Sequence, residues 1–128
     1  MSALEIRLLK DEWLPGERLE GEVRWCRPAG SPSSLELRCL WYTEGFRDVD
    51  LEIAGKVSIG NGDPSGSYSF NFELPRTPIS FKGKLFSLCW CIEVADPETK
   101  EFARRTFSMS PGGRPVDLVS HPDLESTV

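Results

Sequence analysis

The sequence predicts an all-β fold, a two-layer antiparallel β-sandwich of about seven to eight strands. Apolar and polar residues alternate with a period of two through most of the chain. Turns rich in glycine and proline separate these stretches. No stretch carries the 3.6-residue apolar spacing of a helix. The apolar strand faces must therefore be buried against each other in two packed sheets.

The first half of the chain contains four predicted strands. Leu4, Ile6 and Leu8 alternate with charged residues and form the first one. Leu14-Pro15-Gly16-Glu17 is a turn, since proline sets its first corner and glycine accepts the positive φ that follows. Apolar alternation predicts three further strands, at residues 19–25, 35–43 and 49–59, the last with a kink at Gly55.

The second half supplies the longest predicted strand and a hairpin. Residues 68–74 alternate and are ended by Pro75. Residues 84–95 are expected to form the longest strand, which at ~3.3 Å per residue spans the full height of a sheet. Residues 101–109 return beside it. Phe102 and Phe107 have opposite parity there, which predicts a bulge or burial on both faces.

Length and charge bound the domain organisation and the class of partner. The 128 residues predict one sandwich domain at residues 1–109 and an extended or flexible tail at residues 110–128. A net charge of −5 argues against a nucleic-acid partner and leaves any membrane contact indirect. Charged residues come too early for a signal peptide, and no apolar run reaches the ~20 residues of a membrane span. We therefore expect a cytoplasmic protein.

The four cysteines are interpreted as free, mostly buried thiols. Cys26 and Cys89, with Trp41 between them, follow the order of the immunoglobulin disulfide and tryptophan. Their parity, facing away from the apolar neighbours, argues against that disulfide. Cys89 and Cys91 could form half of a metal site, but the sequence has no second pair and its only histidine is His121. No cofactor and no metal are expected.

Two motifs resemble the arrestin family. Residues 68–83 read Tyr-Ser-Phe-Asn-Phe-Glu-Leu-Pro-Arg-Thr-Pro-Ile-Ser-Phe-Lys-Gly, which is similar to the arrestin N-domain pattern of an aromatic strand, Leu-Pro, a second proline and Ser-Phe-x-Gly. Residues 13–23, with Pro15-Gly16-Glu17 and a following Gly-x-Val, resemble the turn and strand near the start of that domain. The motifs are architectural, so they report a fold and not a site.

The resemblance implies an arrestin-like, immunoglobulin-like sandwich that works as an adaptor or scaffold. Arrestins have two such sandwiches, whereas this chain has room for one. Their inter-domain charge network therefore cannot exist within it, and its acidity makes phosphate sensing doubtful. We expect a non-catalytic module that binds a protein or peptide through sheet edges and loops, or pairs with itself through an edge strand.

Two groups of residues are the candidate contacts of that partner. Leu4, Ile6 and Leu8 form the first strand, which is expected at a sheet edge and available for pairing. A modest basic patch for an acidic peptide or phosphate is the second candidate. Its expected members gather near the base of the long hairpin: Arg76, Lys82, Lys84, Lys100, Arg104 and Arg105. An ordinary solvated strand face is the alternative interpretation of these charges.

The runner-up function is a sandwich that binds a small ligand or a membrane surface. Trp13 would serve as a platform for carbohydrate. Carboxylates in or beside turns would assist calcium-dependent lipid binding: Asp48, Asp50, Asp63 and Asp96. An enzyme has no supporting constellation in the sequence, since no serine lies in a Gly-x-Ser-x-Gly turn.

Overall fold

Strands form all the regular structure in the part of the chain that the computed structural model describes, residues 3–27, 34–45, 50–60, 64–83, 86–112 and 116–117. Seven strands are long, and three have two residues each. In chain order they are β1 Ala3–Leu8, β2 Glu12–Trp13, β3 Arg18–Cys26, β4 Leu35–Gly45, β5 Leu51–Ile59, β6 Ser65–Glu73, β7 Phe81–Lys82, β8 Phe86–Ala95, β9 Phe102–Met109 and β10 Val116–Asp117.

The strands form two sheets, as the alternation predicts. One sheet has three antiparallel strands in the order β1-β3-β6. The other follows the order β10-β7-β8-β4-β5, with β9 beside β8 and β2 beside β9. Most pairs are antiparallel. The exceptions are the two-residue pairs β2–β9 and β10–β7, which are parallel. The all-β sandwich is confirmed.

The core lies between the sheets, on the inward face of each strand. Trp90 is fully buried there, and its indole N–H donates to the Pro78 carbonyl at 2.8 Å. Trp13 is also buried and donates to the Lys10 carbonyl at 2.9 Å. Because each indole has a hydrogen-bond partner, both large side chains contribute apolar burial without an unsatisfied donor.

The predicted turn before β3 has the expected geometry. Gly16 has a φ of +79°, and the Glu17 amide donates to the Leu14 carbonyl at 3.1 Å. The Glu17 carboxylate accepts the Leu14 amide at 2.8 Å and pairs with Lys10 at 2.5 Å. The backbone hydrogen bond and then Lys10 lower the pKa of Glu17.

One expectation about the strands is wrong, and another stays a prediction. Within the described residues β4 has 11 residues and β8 has 10, and residues 84 and 85, which the prediction places in the same strand as β8, lie outside the described ranges, so the longest strand stays a prediction. The β8–β9 register is unbroken and Phe102 is 62% exposed, so Phe102 produces neither a bulge nor burial on both faces. The kink predicted at Gly55 coincides with an irregularity in β5, where Cys39 pairs with Gly55 and Leu40 with Ile53, leaving Ala54 as an extra residue.

The two sheets are also joined by a buried ion pair. Arg27 follows β3, and Asp96 follows β8. Their side chains are 1% and 4% exposed, and Nη1 of Arg27 lies 3.4 Å from Oδ2 of Asp96. The other carboxylate oxygen accepts the amides of Glu98 and Thr99, which shapes the turn before β9. One acidic side chain thus orders the hairpin turn and connects the layers.

Candidate protein-interaction edge

The first strand lies at the edge of the three-stranded sheet. β1 pairs with β3 over a continuous register from Ala3–Cys26 to Leu8–Gly21. On its other side no strand of the described ranges pairs with it. We call this side the β1 edge. It presents backbone groups that can accept a further strand.

The hydrogen-bond pattern shows which residues of β1 face that edge. The Leu9 amide donates to the Glu20 carbonyl at 3.1 Å, continuing the β1–β3 register. In an antiparallel pair alternate residues bond to the partner strand. The backbone groups of Glu5 and Arg7 therefore face β3. The backbone groups of the residues that alternate with them face the β1 edge: Leu4, Ile6 and Leu8.

The side chains of Leu4, Ile6 and Leu8 point elsewhere. They are half-buried and pack against the core. They are therefore not an exposed apolar patch. Their contribution to a contact would come through backbone N–H and C=O groups, with the side chains holding the strand on the sandwich.

The outward face of β1 carries a regular set of charges. Glu5 and Arg7 pair at 2.6 Å along β1, and Glu22 and Arg24 pair at 2.7 Å along β3. Across the strands Glu5 lies opposite Arg24, and Arg7 lies opposite Glu22. We call these four residues the charge ladder. The hydrogen bond from Arg7 lowers the pKa of Glu5, which keeps that carboxylate ionised.

The predicted basic patch is not one surface. Lys82 pairs with Ser87 near the start of β8, whereas Lys100 lies in the turn after its end. At ~3.3 Å per residue these positions are about 30 Å apart. Arg76 follows β6, and Lys84 lies outside the described residues. Closeness in sequence does not bring opposite ends of a hairpin together.

The two arginines of β9 are already engaged with acids. Arg104 donates to Glu93 at 2.7 Å and lies over the Tyr42 ring at 5.0 Å. Glu93 is 6% exposed and also pairs with Arg38 at 2.5 Å. The hydrogen bond to Glu93 raises the pKa of Arg104. Arg105 pairs with Asp11. These contacts leave little free positive charge for an acidic ligand.

A groove of about 710 Å³ lies on the outer face of the seven-stranded sheet. Its lining includes Tyr42, Glu44, Lys82, Cys89, Arg105 and Ser108. Burial, and then Glu44, raises the pKa of Cys89, so the thiol stays protonated at neutral pH. Acidic and basic groups are mixed along it, and the arrangement selects no ligand class.

Two residues of the runner-up function, Trp13 and Asp96, occupy structural positions. Trp13 is 2% exposed, so it cannot serve as a carbohydrate platform, and that hypothesis is wrong. Asp96 is committed to Arg27 and its turn. Asp48 and Asp63 lie outside the described residues. Over the described ranges no cluster of three metal-ligating acids, cysteines or histidines occurs.

The cysteines are free thiols. Cys39 and Cys91 are buried, Cys89 is half-buried and Cys26 is exposed, so the expectation of mostly buried thiols holds for only part of the set. Cys26 lies in β3 of one sheet and Cys89 in β8 of the other, and no disulfide joins them. The immunoglobulin-like order of residues is therefore coincidental.

The arrangement of strands is an arrestin-like β-sandwich. It is similar to the crystal structure of Spo0M, a sporulation control protein from Bacillus subtilis, with a TM-score of 0.59 and 18% sequence identity over 85% of this chain. This chain spans 49% of the length of Spo0M. The resemblance inferred from the two motifs is thereby confirmed at the level of the fold.

Other comparisons add little to this. A β-glucosidase from Listeria innocua matches 90% of this chain and 16% of its own, at 17% identity and a TM-score of 0.39. A likeness this low bears on neither fold nor activity. No protein-family model matches the sequence, and no curated protein is significantly similar to it. In the described part of the chain no helix is long and apolar enough to cross a membrane.

Sequence reasoning identified the first strand but missed its charge ladder. Glu5 and Arg7 alternate visibly in the sequence. Their meaning depends on the β1–β3 register, which sets Arg24 and Glu22 beside them. The Arg27–Asp96 pair was missed because its two residues are 69 positions apart and each follows a strand end.

Proposed function

We propose that this chain is a non-catalytic, cytoplasmic protein-interaction module that binds a partner by strand addition to the β1 edge. The observation that carries the proposal is an edge strand of six residues in unbroken register, with alternate backbone groups facing outward. Main-chain hydrogen bonds supply affinity in this mode, and the side chains beside them supply specificity.

Three other strands at sheet edges, β5, β9 and β6, are less suited to accept a strand. β5 is interrupted by the extra residue Ala54, and a bulge of this kind twists an edge away from a partner. The end of β9 is covered by β2. The exposed residues of β6 are mostly small and polar: Ser65, Gly66, Ser67, Ser69 and Asn71. β1 has no proline, no bulge and no inward-facing charge between Ala3 and Leu8.

A proline at position 6 tests the proposal. The Ile6 amide faces the β1 edge, so Ile6→Pro removes an outward donor without removing a hydrogen bond to β3. We expect it to abolish capture of the specific partners that the wild-type chain retains from a native lysate. Ile6→Ala is the matched control, because it shortens the same half-buried side chain and keeps the N–H.

The comparison between the two variants decides the outcome. Retention of the partners by Ile6→Ala together with their loss in Ile6→Pro supports strand addition. Circular dichroism must show the same β-sheet spectrum for both variants. Equal capture by Ile6→Pro and the wild-type chain would overturn the proposal. Ser69→Pro, placed on the β6 edge, should leave capture unchanged.

A further inference from the structure

We propose that the partner strand at the β1 edge is the β1 strand of a second copy of this chain, antiparallel and centred on Ile6. This inference rests on the proposed function and specifies its partner. It is carried by the self-complementary pattern Leu4-Glu5-Ile6-Arg7-Leu8. A two-fold axis through Ile6 places the charged positions opposite each other as unlike pairs.

The backbone supports this register. Ile6 faces the edge with its N–H and C=O, so Ile6 of one copy and Ile6 of the other would form a hydrogen-bonded pair. Leu4 would then pair with Leu8 of the other copy in the same way. Glu5 of one copy and Arg7 of the other would form a non-hydrogen-bonded pair, in which side chains approach most closely. All apolar side chains stay on the inward face.

The charge ladder extends without interruption across the two-fold axis. Arg24 lies beside Glu5 within one chain, and Arg7 lies beside Glu22. Pairing Glu5 with Arg7 of the second copy gives the order Arg24, Glu5, Arg7 and Glu22 over four strands. The signs alternate at every step, and the symmetry repeats the row in the opposite direction. Opposite charges directly across strands are stabilising.

Neighbouring symmetric registers are unfavourable. A shift that keeps the apolar side chains inward places either Glu5 opposite Glu5 or Arg7 opposite Arg7. Like charges directly across strands are destabilising. A one-residue slip turns the apolar side chains of one copy to the outer face. Among these registers only the one centred on Ile6 satisfies both the apolar pattern and the charges.

The test exchanges one charge at a time. Glu5→Arg carries arginine at both positions, and Arg7→Glu carries glutamate at both. Each variant alone should dimerise at least about tenfold more weakly than the wild-type chain, because both cross-axis pairs become repulsive. An equimolar mixture of the two variants restores unlike pairs, so it should form a heterodimer. Sedimentation velocity over a concentration series measures all three samples.

A cross-link reads the register directly and covers the case in which the charge variants unfold. In a Cys26→Ser background, Glu5→Cys and Arg7→Cys chains should form a mixed disulfide on mild oxidation when combined. Neither variant should cross-link with itself to the same extent, because positions 5 and 5 and positions 7 and 7 are not opposite each other. Cross-linking confined to the self-pairs would overturn the register.

The outcomes separate this inference from the proposed function. A wild-type chain that stays monomeric up to roughly 0.1 mM overturns self-pairing. If Ile6→Pro still loses captured proteins in that case, strand addition stands with a different partner. A dimer that is insensitive to both charge exchanges and to Ile6→Pro overturns the inference and removes the β1 edge as the contact.

Discussion

At the scale of single residues, the buried ion pair between Arg27 and Asp96 is a site where one substitution should strongly lower the stability of the fold. Both side chains are almost fully removed from water. Moving a charged side chain from water into the protein interior is strongly unfavourable when its oppositely charged partner is missing. The pair is therefore expected to matter more when one member is removed than when both are.

Asp96→Asn tests this expectation. The substitution keeps an oxygen for the turn amides and leaves the Arg27 guanidinium without its carboxylate. We expect the free energy of unfolding to fall by about 3–5 kcal/mol in urea titration. The double variant Arg27→Met with Asp96→Asn should lose distinctly less. A single variant as stable as the wild-type chain would contradict this account.

Sequence reasoning failed at single residues where exposure or distance decided the role. Trp13 is a residue type that often forms a carbohydrate platform on a surface. It is nevertheless buried, because β2 pairs with β9 and places its side chain in the core. Phe102 is a residue type common in cores, yet it is exposed, and its ring centroid lies 5.9 Å from Cζ of Arg104. Aromatic identity alone does not fix burial.

At the scale of elements, the packing of β1 against β3 depends on Gly21. A Cβ atom at this position would lie 2.5 Å from the Arg7 carbonyl oxygen and 2.7 Å from Cζ of Phe70. The first contact is with the backbone of β1, which cannot give way without moving the strand. Glycine is thus required for a close approach of neighbouring strands, not for a turn.

Gly21→Ala should therefore destabilise the protein. We expect a loss of about 1–3 kcal/mol in the free energy of unfolding, the usual result of overpacking. Gly112→Ala is a suitable control, since a Cβ there has nothing within 4 Å. Equal stability of both variants in urea would show that β1 shifts freely over β3.

The strands were the most predictable elements, for a physical reason. A sheet buried on one face imposes a period of two, and the inward residues of β4 follow it: Leu35, Leu37 and Cys39 are all buried. The sequence predicted the basic patch wrongly, because Lys82 and Lys100 lie at opposite ends of β8. The edge position of β1 was expected; its register with β3 required the structure.

At the scale of the whole molecule, two buried thiols couple stability to alkaline pH. Burial raises the pKa of Cys39 and of Cys91 from 9.0 to about 12. Between these values the unfolded chain has released protons that the folded chain retains. The unfolded state then binds fewer protons, so the free energy of unfolding falls as pH rises.

The expected slope is about 1.4 kcal/mol per pH unit for each thiol between pH 9 and 12, with full stability retained below pH 9. Urea titrations across this range measure it. A Cys39→Ala and Cys91→Ala double variant should show a shallower decline, whatever its stability at pH 7. Identical slopes would mean that these thiols ionise equally well in the folded chain.

The small, hydroxyl-rich outer strand β6 bears on how large an assembly of this protein can grow. In a doubled sheet both copies of β1 lie in the middle, and the two copies of β6 form its outermost rows. Serine and glycine there are poor templates for a further neighbour. A two-fold contact also consumes the same surface on both copies, so association closes on itself. Concentrated solutions should hold discrete pairs and remain clear, without elongating into fibres.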